Sequence, residues 1–93
     1  MKYVQTFTTP EIAGKNFIAK GCNILFRDIA IIDLPEATAD IVDEAKKSVA
    51  EDGHNCIVNL ACDVKPYSQH FPNGEIADFC IVQLSYTYGD LIS

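Results

Sequence analysis

Cys62 and Cys80 carry the strongest chemical potential in this chain. They lie in two apolar, alternating segments, residues 55–65 and 76–88, which read as the two arms of a β-hairpin. A register that sets Cys62 opposite Cys80 also sets Leu60 opposite Val82 and Cys56 opposite Tyr86. Directly opposed strand residues hold their Cβ atoms about 4.5–5.5 Å apart. Two thiols at that separation reach one soft metal ion, zinc or copper(I), or form a disulfide. His70, in the intervening loop at 66–75, is the third expected ligand. The expected metal set is therefore Cys62, Cys80 and His70. The competing reading makes both thiols small buried hydrophobes and His70 a solvated loop residue.

The other candidates are weaker. Cys56 and Cys62 cannot share an ion within one strand, because six residues of strand span about 20 Å. No CxxC pair occurs, so the usual zinc spacing is missing. His54 follows a helical segment and reads as a cation at the negative end of its dipole. Ser68, Ser85 and the cysteines lack an evident base and orienting acid. No glycine-rich phosphate loop is present. Asp40, Asp43 and Glu44 read as a solvated helix face. Tyr86 and Tyr88 read as core or interface rim. These residues predict no catalysis by a single chain. An enzyme site could still form where the 66–75 loop meets a neighbouring subunit.

The elements that must position these residues are legible in the pattern. Cys56, Val58, Leu60, Cys62 and Val64 share one side of the first arm, and Cys80, Val82, Leu84, Tyr86 and Tyr88 share one side of the second. Neither side of the second arm is fully polar, which is unusual for a half-buried strand in a monomer. Pro66, Pro72 and Asn73-Gly74 predict a turn across 66–75. Residues 34–52 predict the single helix. Pro35 suits its first turn, and Gly53 suits the residue past its end. Leu34, Thr38, Ile41, Val42, Ala45 and Val49 form its apolar stripe. Upstream, 2–8 predicts a short strand, Thr9-Pro10 interrupts it, and Gly14-Lys15 marks a turn. Residues 17–32 predict one bent strand with a bulge at Gly21. Arg27 and Asp28 read as an exposed kink, and a helical turn over 24–30 is the competing reading. Strand, strand, helix, strand, strand gives an α+β, two-layer fold: one helix on an antiparallel sheet.

Ninety-three residues make one domain, with 48% hydrophobic and 22% charged residues. A net charge of −6 argues against nucleic acid or an anionic membrane as partner. The opening residues show no apolar leader and no run approaches membrane length, so a cytoplasmic location is expected. The four cysteines are then expected as thiols.

Residues 8–15, TTPEIAGK, are similar to the TTP-x-L-x-G opening of the YbjQ-like family, whose members are described as heavy-metal-binding. The run from Asp52-Gly53 into His54-Asn55-Cys56-Ile57-Val58 resembles that family's helix-to-strand junction, and 79–87 resembles its last strand. The resemblance implies a β-α-β-β subunit with extra short N-terminal strands. It also implies assembly into a ring, typically a pentamer. Gly21-Cys22-Asn23-Ile24 departs from the family's pattern, and the hairpin loop is longer. The residues point the same way independently. One helix cannot cover all this apolar strand surface, and surplus apolar surface normally marks an interface. The expected protein is a small homo-oligomeric binding module.

Overall fold

The computed structural model describes residues 4–9 and 16–92. Its elements are β1 (Gln5–Thr6), β2 (Asn16–Ala30), a 3-10 turn (Ile31–Asp33), α1 (Leu34–Glu51), β3 (Cys56–His70) and β4 (Ile76–Ile92). The sheet runs β1-β3-β4-β2. β4 pairs antiparallel with both β2 and β3, whereas β1 lies parallel to β3. The sheet is therefore mixed, where an antiparallel one is expected from the sequence. The two-layer α+β arrangement is present. Pro10 and the Gly14-Lys15 turn lie outside the described residues.

β2 is one continuous strand with a bulge between Ala19 and Gly21, and no helical turn interrupts it. Arg27 and Asp28 stay in the strand, exposed but without a kink. Arg27 forms an ion pair with Glu44 on α1, tying the helix to the edge strand.

α1 begins one turn after β2 ends, with Pro35 in its first turn. It ends in a Schellman cap. The Gly53 amide donates to the Ala50 carbonyl and the His54 amide to that of Val49, both at 3.0 Å. Gly53 takes φ +85°, a conformation glycine adopts without steric cost. Ile41, Ala45 and Val49 form the buried stripe. They pack on Cys80, Val82, Leu84 and Tyr86 of β4 and Ile57 of β3, with Val4 joining the cluster.

The hairpin differs from expectation in length and in register. β3 continues through Pro66 to His70, so the turn is only 71–75. Pro66 is tolerated because β3 is an outer strand at that point, where a missing N–H can face away from the ladder. Asn59, at φ 54°, sits in a bulge between Val58 and Ala61. The extra residue reverses which side of the sheet each β3 residue faces. Ile57 pairs with Tyr88 on the helix side, and past the bulge so do Cys62 with Leu84 and Val64 with Val82. Cys56 and Val58 therefore face away from Cys62 and Val64, contrary to the uniform alternation read from the sequence.

An 18-residue helix spans about 27 Å. A 17-residue strand spans about 56 Å. The helix thus covers about half of β4. The molecule is correspondingly long, with extents of 59 × 24 × 19 Å.

Candidate functional site

The register separates the expected metal ligands. Cys62 lies opposite Leu84, and Cys80 lies opposite Pro66. The two thiols are thus offset by four residues, about 13 Å along the hairpin. Cys80 is buried under α1, whereas Cys62 is exposed. His70 pairs with Ile76 at the far end, about 26 Å along β3 from Cys62. One chain does not bring the three together. Among the described residues, no three His, Cys, Asp or Glu side chains cluster as metal ligands would.

The largest unassigned feature is the sheet face opposite the helix. Alternation puts Val82 and Leu84 of β4 under α1 and turns Phe79, Ile81, Gln83 and Ser85 to the other side. The β2 partners of these residues face the same way: Asp28 pairs with Ile81, Phe26 with Gln83 and Ile24 with Ser85. On β3, Tyr67 pairs with Phe79. The result is a strip in which Phe26 is 57% exposed, Ile24 49%, Ile81 38% and Tyr67 38%.

Polar contacts fix part of this strip. The Tyr67 hydroxyl donates to Asp28 Oδ1 at 2.6 Å, reaching across the central strand. Its ring stacks on Phe79 with centroids 5.7 Å apart and planes 23° from parallel. Because the phenol proton is held by a carboxylate, the Tyr67 pKa rises above the ordinary 10.0.

A shallow depression of about 210 Å³ opens beside the Asn59 bulge, lined by Cys22, Ile24, Asn59, Ser85 and Thr87 among others. Its lining includes an exposed thiol, Cys22, and three hydroxyl-bearing residues, Ser85, Tyr86 and Thr87. Among the described residues neither a histidine nor a carboxylate lines it, the groups that would activate a nucleophile.

Sequence reasoning missed one further constellation. His54 Nδ1 lies 3.2 and 3.3 Å from the two Asp90 carboxylate oxygens. Its ring lies 5.5 Å from that of Tyr88. The Leu91 amide donates to Asn55 Oδ1 at 2.8 Å. The Schellman cap fixes where His54 leaves the helix, and the pairing of Cys56 with Gly89 brings Asp90 beside it. A longer reading of the second arm would have found this pair, since the expected strand stopped at Tyr88. A carboxylate on Nδ1 fixes an imidazole's orientation. In this chain it also latches the helix terminus to the end of β4.

No family model matches the chain, and neither a curated protein nor a solved structure matches it. Among the described residues, no helix is long and apolar enough to cross a membrane.

Proposed function

We propose that this chain is a small homo-oligomeric binding module without catalysis of its own, whose copies cover one another's helix-free sheet faces. The observation that carries this reading is the strip of Ile24, Phe26, Ile81 and Tyr67, all exposed on a face that no described element covers. Contiguous apolar surface of this kind on a soluble chain normally marks a contact between proteins. The long shape adds support, because the strands extend well past the helix. The YbjQ-like resemblance would make the assembly a ring, typically of five copies.

Light scattering on the eluting particle tests the reading. The expected mass at micromolar concentration is a multiple of 10.2 kDa. Ile81→Glu should lower it by placing a charge in the middle of the strip. A 10.2 kDa particle for the unaltered chain would end the proposal.

A further inference from the structure

The two edges of the sheet are unequal. On the β3 side, β1 covers Cys56 and Ile57. The chain after β1 then accepts the Asn59 and Leu60 amides on the carbonyls of Thr9 and Phe7. Further along, Pro66 removes a donor from the outer edge, a common way to block pairing with another chain. β2, at the other edge, runs 15 residues without a proline. Among the described residues nothing pairs with its outer side.

Two side chains show which β2 backbone groups point outward. The Ile24 amide donates to Asn23 Oδ1 at 2.9 Å, and the Phe26 carbonyl accepts from Arg27 Nη1 at 2.8 Å. Both are exposed local substitutes for a strand partner. They fall on alternate residues, as the free groups of an edge strand must.

Resting on the reading of this chain as self-associating, we infer that the outer edge of β2 pairs antiparallel with the same edge of a second copy, about a two-fold axis at Ile24. That register sets Ile24 against Ile24 of the second copy and Phe26 against Cys22. It brings Asp28 to Lys20, which lies in the β2 bulge. Along the even-numbered positions every facing pair is apolar with apolar or acid with base, and symmetry repeats each hetero pair; on the other face Leu25 meets Asn23 and Arg27 meets Gly21. Moving the axis to Phe26 would set Asp28 on Ile24. Moving it to Cys22 would set Lys20 on Ile24. Only the Ile24 register matches the charges. Asp28 gives Oδ1 to Tyr67 and retains Oδ2 for the lysine. Two sheets joined in this way form one of eight strands, and their helix-free apolar strips become continuous. A two-fold contact makes assemblies of even number, and so departs from the five-fold ring that the resemblance implies.

Charge reversal tests the register. Lys20→Asp and Asp28→Lys should each weaken association about tenfold, since each places like charges together at two symmetry-related positions. The double variant should recover to within about twofold of the unaltered chain. A second arm uses the native thiol. With Cys62→Ser and Phe26→Cys, a short bis-maleimide should link Cys22 of one copy to the new thiol of the other, and Cys22→Ser should abolish that link. A monomeric unaltered chain overturns both the inference and the reading beneath it. An oligomer of odd number overturns the inference alone. So does an oligomer that Ile81→Glu dissociates while the charge reversals and the cross-linker leave it untouched.

Discussion

At the scale of single residues, the four thiols fall into two classes. Cys22 and Cys62 are exposed, and Cys56 and Cys80 are buried. Thiol reagents react with accessible thiolates. In the isolated chain, below the concentration of association, two thiols should therefore modify quickly and two only on unfolding, as a timed titration with a chromogenic disulfide would show; association should slow Cys22. Burial pushes the Cys56 thiol above its ordinary 9.0. A raised folded-state value means the native state keeps a proton that the unfolded chain releases. The stability associated with Cys56 is intact below about pH 9 and falls as pH rises through the folded value. Denaturant titrations of Cys56→Ala should show a shallower loss above that pH. Tyr67 titrates the same way for a different reason, because its proton is shared with Asp28. Absorbance titration, with Tyr67→Phe as the subtraction, should place this phenol above 10, and Asp28→Asn should bring it down. Composition foretold the burial of cysteines as a type. It could not say which two, because that depends on which side each strand residue faces.

At the scale of elements, the helix was legible and the hairpin register was not. Leu34–Glu51 follows from its apolar stripe, Pro35 and the Gly53 cap, all local signals. The bulge at Gly21 also follows from a local cue, an isolated glycine in an apolar run. The bulge at Asn59 carried no such cue. It reverses the facing of every later β3 residue, so that Cys62 shares a side with Cys80 but stands four residues away from it. The expected metal site is lost because the hairpin pairs four residues away from the register that would oppose the two thiols. Asn59→Gly should leave stability within a few tenths of a kcal/mol, because glycine accepts φ 54°. Asn59→Val should cost about 1–2 kcal/mol, since a β-branched side chain is strained there. The β2–β4 contact gives a second pair of variants. A Cβ at Gly89 would collide with the Ile18 backbone carbonyl, whereas one at Gly21 meets the movable end of Tyr88. Gly89→Ala should cost about 1–3 kcal/mol, with Gly21→Ala costing less, both read from chemical denaturation midpoints.

At the scale of the whole molecule, stability is unevenly spread along the hairpin. β2 last pairs with β4 at Ala30 and Phe79. Beyond that level, among the described residues, the pairs Ser68–Asp78, Gln69–Ala77 and His70–Ile76 stand as a two-stranded ribbon. Every residue of β3 from Ala61 to His70 is exposed, while Val82, Leu84 and Tyr86 of the neighbouring strand are buried. A two-stranded ribbon in water is marginal, because it has no third strand or helix against which to bury a face. Here it also presents Ile76 at 60% and Phe71 at 38% exposure. Hydrogen exchange followed by mass spectrometry should therefore show amides of 68–78 exchanging by local opening. The amides of 80–86 should exchange only through larger unfolding. This contrast belongs to the isolated chain, so it should be sharpest at the lowest concentration that gives a signal. If the ribbon is as protected as the core there, it has a cover within its own chain beyond the contacts described. If protection of the ribbon instead appears only as concentration rises, its apolar tip lies inside the assembled contact, and the interface between copies extends from the sheet face to the end of the hairpin.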